Sequence, residues 1–161
     1  MMRSLDGPRK ASANTLPGGG LLIGEKKNQR PKEETKIING TGHNLLKYFG
    51  GRMSIEMEIP KVLWLKNNMP ADLFARCKFY DLPDALTHIA TGRETRSFCS
   101  TVCKQGYVPV GVDGSVKGWQ EDFLKEIGLE VLAQDNYRKI GGVNGEVCDD
   151  CHPQVVSEGY S

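Results

Sequence analysis

One of two cysteine pairs has a spacing that occurs in metal and haem proteins. Cys148, Cys151 and His152 form a C-x-x-C-H pattern, which attaches c-type haem in some proteins and supplies half of a zinc site in others. Cys99 and Cys103 would share one face of a helix, where free cysteines pack as small apolar residues. Because the sequence offers no matched set of four ligands, we predict no metal site. Weak metal binding and haem attachment by the first pair are the alternatives.

Two further patterns fall short of a catalytic site. The glycine-rich segment 19–24 has the G-x-x-x-x-G spacing of a phosphate-binding loop, but Glu25 stands where that loop carries its lysine. His43, His88 and His152 are scattered along the chain. No serine or carboxylate accompanies them at the spacing of a triad. These patterns therefore predict no catalytic residue.

The charge of the chain is uneven along its length. Residues 1–36 contain eight Lys and Arg against four Asp and Glu, although the net charge of all 161 residues is only +1. This basic arm lacks the interleaved aromatic residues that bind nucleic-acid bases, and its composition cannot bury much apolar surface. We predict that residues 1–38 are disordered and bind no nucleic acid.

No segment has the apolar length of a membrane span or of a signal-peptide core. Five cysteines, an odd number, fit reduced thiols better than a disulfide framework. The sequence therefore predicts a cytoplasmic protein without a membrane partner.

Apolar spacing, prolines and glycines predict four helices, over residues 60–67, 70–76, 83–91 and within 117–129. The third helix should bury Leu86, Ile89 and Ala90 and end at Gly92. In the fourth, Glu121 and Asp122 occupy the first turn and Gly128 starts a Schellman ending, and four apolar residues share one face: Trp119, Phe123, Leu124 and Ile127. Short strands are expected near 77–80 and 108–112.

Several longer motifs follow one another between residues 48 and 142. They are YFGGRMSIEMEIPKVLWLKNN at 48–68, FYDLPDALTHIATG at 79–92, RSFCSTVCK at 96–104, KGWQEDFLKEIGL at 117–129 and DNYRKIGG at 135–142. In this order and at these distances, they resemble the amino-terminal domain of FGGY-family carbohydrate kinases, in particular the ribulokinase-like members.

The resemblance implies an α/β fold. Residues 39–142 would be a fragment of an actin-like (ribonuclease H-like) sugar kinase amino-terminal domain, mostly helical in the part present. Residues 1–38 would form the disordered arm and 143–161 a tail unlike the family. Most strands of the family's sheet have no counterpart here. The apolar faces of the helices, with Val62, Leu63, Phe123 and Ile127, are therefore expected to be exposed, which would give either a molten monomer or self-association through these faces.

The function implied by the resemblance is the ATP-dependent phosphorylation of a sugar or polyol hydroxyl, with a pentulose such as ribulose favoured. ATP and magnesium would be the cofactors of the complete enzyme. In the family, a glycine-rich hairpin binds the phosphates and a second-domain aspartate takes the proton of the attacking hydroxyl. Neither has a counterpart in this sequence, so the chain alone is expected to be inactive and to bind neither cofactor.

Two residues are candidates for substrate contacts by the same resemblance. Lys104 closes the RSFCSTVCK motif, and its ammonium group has three donors for sugar oxygens. Glu56 precedes the first predicted helix, and its carboxylate would accept hydrogen bonds from two hydroxyls. An aromatic residue often follows this lysine in the family, whereas Gln105 follows it here.

Two other functions remain open from the sequence. The chain would be a non-catalytic interaction fragment or truncated isoform if its ends replace family sequence, as the changes in composition near Lys36 and after Gly142 suggest. It would be a small metal protein if Cys148 and Cys151 bind a cation.

Overall fold

The computed structural model describes the backbone of residues 20–22 and the complete residues 31–142. The predicted tail 143–161, and with it the Cys148-x-x-Cys151-His152 pattern, lies outside the described residues. The same is true of residues 1–19 and 23–30.

The described part of the chain is mostly helical, as predicted. Its helices are α1 (Lys32–Gly40), α2 (Glu58–Asn68), α3 (Ala71–Arg76), α4 (Leu82–Thr91), α5 (Phe98–Gln105) and α6 (Glu121–Glu126). Shorter 3-10 segments cover Asn44–Phe49, Val112–Gly114 and Glu130–Tyr137. The strands in this part are β1 (Gly20–Leu22) and β2 (Lys78–Tyr80), which pair in parallel with Leu21 opposite Phe79.

Part of the amino-terminal arm has regular structure. β1 lies within the arm, and α1 begins at Lys32. Ile38 on α1 is fully buried in the core, so an apolar contact stabilises a segment whose average composition is polar. The predicted disorder is therefore wrong for residues 32–38. The division into an arm, a domain and a tail otherwise stays a prediction.

The prolines mark the helix starts only approximately. The helix predicted from Pro60 begins two residues earlier, at Glu58. Proline is tolerated there because the first-turn N–H groups have no partner within the helix. Pro70 caps α3 rather than opening it, and Pro83 is the second residue of α4.

The predicted strand at 77–80 is confirmed by β2, but the strand predicted at 108–112 is wrong. Val108 donates its N–H to the carbonyl of Gly118 at 2.8 Å, and Gly111 donates to Ser115 at 2.9 Å. Pro109 lacks an N–H, and Gly111 has φ of +89°. The segment therefore closes a loop instead of extending a sheet.

Helix α4 ends at Gly92 as predicted, but its buried face differs from the prediction. Leu86 and Ile89 are 58% and 55% exposed, and Ala90 is also exposed. The helix turns Asp84 and Ala85 inward instead. A polar interaction explains this orientation, because the Asp84 carboxylate accepts the N–H of Ser97 at 2.7 Å.

The predictions for α6 are confirmed. Trp119, Phe123, Leu124 and Ile127 are all buried. Leu129 N–H donates to Leu124 O and Gly128 N–H to Lys125 O, which is the paired bonding of a Schellman ending.

The apolar faces predicted to be exposed form the core. Val62 and Leu63 of α2 and Phe123 and Ile127 of the α6 region belong to one buried cluster. Helix α2 packs against α1, α3 and α5, and α6 packs against the segment Glu130–Tyr137. The helices therefore cover one another, so self-association through these four residues is not supported by their burial.

No helix within residues 31–142 is both long enough and apolar enough to cross a bilayer.

The replacement of Gly118 by alanine should destabilise the fold strongly. Gly118 has φ of +81°, and a Cβ there would lie 2.0 Å from Cε2 of Tyr107. The rigid Tyr107 ring is itself packed edge-on against Trp119, with centroids 5.1 Å apart, so it has little room to move. Urea unfolding of Gly118→Ala should show the loss.

Gly114→Ala is the matched control, because Gly114 has φ of +78° but open space around it. It should lose only the ~1–2 kcal/mol of a left-handed backbone. Gly118→Ala should lose a further ~1–3 kcal/mol through overpacking. Equal losses in the two variants would contradict the packing described for Tyr107.

Candidate functional site

The predicted substrate residue Lys104 lies at the end of α5, beside the start of α4. Its Nζ donates to both carboxylate oxygens of Asp81, at 3.1 and 2.9 Å. Asp81 directly follows β2 and is the N-cap residue of α4. About one third of the Lys104 side chain is exposed (33%), whereas that of Asp81 is almost fully buried (4%). The pair therefore joins two helices and leaves part of the lysine at the surface.

Ser100 completes the surroundings of the Asp81 carboxylate. It precedes Lys104 by one helical turn, so both side chains lie on the same side of α5. Its hydroxyl donates to Asp81 Oδ2 at 2.8 Å. Burial opposes ionisation of Asp81, but the hydrogen bonds from Lys104 and Ser100 outweigh it and lower the pKa of this carboxyl. Asp81 is thus held as a carboxylate.

Glu58 is a second buried carboxyl group, on the first turn of α2. Gln105 of α5 donates its side-chain N–H to Glu58 Oε2. Burial, followed by the charge of Asp81, raises the pKa of Glu58 from its ordinary 4.5 to about 8. Glu58 is therefore protonated at neutral pH. Gln105, which stands where the family often has an aromatic residue, thus makes a specific hydrogen bond to Glu58.

Asp84 and Arg96 border these groups from α4 and the segment before α5. Burial raises the pKa of Asp84, although the Ser97 N–H and the charge of Arg96 oppose the increase. The guanidinium of Arg96 lies 3.5 Å from the ring centroid of Tyr80, a cation–π contact. We call Glu58, Asp81, Asp84, Ser100, Lys104 and Gln105 the buried polar cluster.

The buried polar cluster contains polar atoms without a hydrogen-bond partner. Among the described residues, these are Glu58 Oε1, Asp84 Oδ2 and Gln105 Oε1, together with Arg96 Nε nearby. A buried polar atom left unpaired costs about 1–3 kcal/mol, and more if it is charged. The neutral form of Glu58 avoids part of this cost, which agrees with its raised pKa.

The other predicted substrate residue, Glu56, is not part of the cluster. It lies in an exposed turn before α2, where its backbone N–H donates to Ser54 Oγ at 3.3 Å. The structure thus places Lys104 in the cluster and Glu56 at the surface. The contact of either residue with a sugar stays a prediction.

Sequence analysis missed the carboxyl groups of the cluster. Asp81 and Asp84 bracket Pro83 in the DLPD stretch, a pattern that marked only a helix start. Glu58 lies one helical turn before Val62, on the stripe that is buried. The available signals were the position of Asp81 and Asp84 beside a proline and that of Glu58 on an apolar stripe. Neither signal identifies the residues that these carboxyl groups contact.

The prediction that Cys99 and Cys103 pack as apolar residues is wrong, and His43 has a contact that its sequence position did not indicate. Cys99 and Cys103 share a face of α5 as predicted, but both are exposed, because Thr101 and Gln105 occupy the buried side. His43 has a carboxylate partner, since its Nε2 lies 3.2 Å from Asp122 Oδ2. Within residues 31–142, no three side chains of His, Cys, Asp or Glu are grouped as metal ligands.

A separate polar crevice of about 140 Å³ lies beside His43 and Asp122. Asp113 on its wall accepts a hydrogen bond from Tyr48 and pairs with Lys47 at 2.6 Å. The side chains of this crevice are therefore largely engaged with one another. None of the buried polar cluster lines it.

The raised pKa of Glu58 predicts a pH dependence of stability. Because the folded state holds the Glu58 proton up to about pH 8 and the unfolded state releases it near its ordinary value, the folded state binds more protons in this window. The free energy of unfolding should therefore fall as pH rises from about 5 to 8, by up to ~1.4 kcal/mol per pH unit from this group. Asp81, whose pKa is lowered, contributes with the opposite sign and only at more acidic pH.

Glu58→Gln should remove this contribution, because the amide stays neutral and can still accept from Gln105. In urea unfolding at several pH values, Glu58→Gln should gain stability relative to the unmodified chain as pH rises. Glu56→Gln is the control, since it makes the same change on an exposed residue two positions away. Parallel pH profiles for the Glu58→Gln and unmodified chains would rule out the protonated Glu58.

Comparison with known proteins identifies relatives of this chain. A D-ribulokinase of Saccharomyces cerevisiae is 58% identical over 113 residues, which cover 70% of this chain and 16% of the yeast protein. FGGY carbohydrate kinase domain-containing proteins of Xenopus laevis and Homo sapiens are 50% and 46% identical, over 77% and 70% of this chain. No protein-family model matches.

The chain spans only about one fifth of these relatives, since the matched residues make up 20% of the Xenopus protein and 19% of the human one. Identity at this level over more than 100 aligned residues reflects common ancestry, and it agrees with the motifs between residues 48 and 142. The matched segment therefore belongs to the FGGY carbohydrate kinases.

Proposed function

We propose that this chain is part of an ATP-dependent carbohydrate kinase that phosphorylates a hydroxyl of a sugar or polyol. The observation that carries the proposal is the 58% identity with a yeast protein named D-ribulokinase. This identity favours a pentulose such as ribulose as the substrate.

Lys104 is the residue best placed for a substrate contact on this proposal. Asp81 accepts hydrogen bonds from Lys104 and Ser100, and about a third of the Lys104 side chain is exposed. A partly exposed lysine whose Nζ is already oriented by Asp81 can donate to a sugar oxygen without a large loss of rotamer entropy. Asp81 would then act as a positioning residue for Lys104.

Glu56 would supply an acceptor to the same substrate. Its carboxylate is exposed and can receive hydrogen bonds from two hydroxyls. The support for this role is the position of Glu56 in the family motif, immediately before α2.

On this proposal, ATP and magnesium are bound by other parts of the complete kinase, because Glu25 stands where a phosphate-binding loop carries its lysine. We therefore assign to this chain a role in sugar binding and none in ATP binding. Since phosphoryl transfer depends on positioning and electrostatics at both sides, the chain alone should be inactive.

The alternative is a non-catalytic interaction fragment or truncated isoform. The exposed apolar surface of Leu86 and Ile89 on α4 favours it. This function would require neither sugar nor nucleotide.

Sugar binding tests the proposed role of Lys104. D-ribulose binding to the full chain is measured by ligand-observed nuclear magnetic resonance. Lys104→Met should weaken binding by about tenfold or more, because a hydrogen bond from a charged donor is lost. Lys117→Met, which alters another lysine at an exposed position, should have no effect. Equal binding by both variants would remove Lys104 from the site.

A coupled assay of ADP release tests the expected inactivity. The full chain should produce no ADP above background with ATP, magnesium and ribulose, xylulose, ribitol or glycerol. Turnover that Lys104→Ala abolishes would show that the chain carries a complete kinase site. Absence of both turnover and sugar binding would instead favour the interaction fragment.

A further inference from the structure

Helix α5 carries a pair of thiols on its exposed side. The Sγ atoms of Cys99 and Cys103 are 4.0 Å apart, and both cysteines are free and exposed. The opposite side of the helix is fixed in the core by Thr101, which is fully buried, and by Gln105. The pair is therefore held on a rigid element, and its spacing is set by one helical turn.

This geometry does not suit a disulfide. A disulfide requires Sγ atoms about 2.05 Å apart and Cβ atoms roughly 3.5–4.5 Å apart. Side chains four residues apart on a helix have Cβ atoms about 5–6 Å apart. Closing the bond would open the turn that Thr101 stabilises by donating to the carbonyl groups of Ser97 and Phe98.

The same distance suits two ligands of one tetrahedral cation. With zinc–sulfur bonds of about 2.3 Å, two thiolates at adjacent corners of a tetrahedron lie ~3.8 Å apart. The observed 4.0 Å is close to this value. Soft d10 cations prefer thiolate ligands, and the exposed side of α5 gives them access.

We propose that Cys99 and Cys103 form a two-thiolate half-site for a soft d10 cation such as Zn²⁺ or Cd²⁺. On binding, each thiol releases its proton to solvent, two sulfur–metal bonds form, and the hydrated cation loses all but two of its waters as it becomes four-coordinate. The two remaining coordination positions keep water or accept the same pair from a second copy of the chain. This inference stands on the thiol geometry and does not rest on the proposed kinase function.

Cadmium titration of the full chain tests the half-site. The background carries Cys148→Ser and Cys151→Ser, so that the second cysteine pair of the sequence cannot compete. Calorimetry and the ultraviolet thiolate-to-cadmium charge-transfer band should both show saturable binding. Either one Cd²⁺ per chain or one per two chains supports the proposal, the latter with the chain dimerising, and added Zn²⁺ should displace the Cd²⁺.

Cys99→Ser and Cys103→Ser should each abolish the saturable binding in this background. Cys77→Ser is the matched control, because it removes the buried thiol at the end of α3 and should leave binding unchanged. Circular dichroism shows whether the exposed serine variants keep their helices. Binding that survives in Cys99→Ser or Cys103→Ser, or that is absent from the folded background, would overturn the inference.

Discussion

The Asp81 carboxylate is the constraint on which the arrangement of the helices depends. It directly follows β2, opens α4 and accepts hydrogen bonds from Ser100 and Lys104 of α5. Once α5 is fixed in this way, Gln105 at its end reaches Glu58 on the first turn of α2. The ionised Asp81 thus connects β2, α4 and α5 directly, and it connects α2 indirectly through Gln105. The cost of removing Asp81 from water is offset by the hydrogen bonds from Ser100 and Lys104. The cluster is therefore sensitive to any loss of charge at Lys104.

Local signals predicted the features that depend on a few neighbouring residues. The endings at Gly92 and Gly128 need a left-handed residue at one place, and glycine supplies it in both cases. The buried face of α6 follows from apolar spacing that its surroundings do not contradict. Such features can be predicted because the sequence that encodes them lies within one or two turns of the helix.

Features set by partners distant in sequence were predicted poorly. Apolar spacing indicated that Leu86 and Ile89 face a core, but the bond from Ser97 to Asp84 turns α4 the other way. The apolar residues of α2 and α6 were correctly identified, yet the elements that cover them were not. Glu58 was missed because its pairing with Gln105 spans 47 residues. Periodicity predicts that one face of a helix is buried, but it does not identify the element that covers this face. A buried polar pair such as Glu58 and Gln105 leaves no periodic pattern in the sequence.

The outward face of α4 has a consequence for the behaviour of the chain in concentrated salt. Sulfate and similar ions strengthen the association of exposed apolar surface, and Leu86 and Ile89 provide such surface. Screening acts mainly on exposed charges, whereas the Asp81 carboxylate is almost fully covered. High salt should therefore precipitate the chain with its fold intact, and redissolving the pellet in dilute buffer should return native protein without a refolding step.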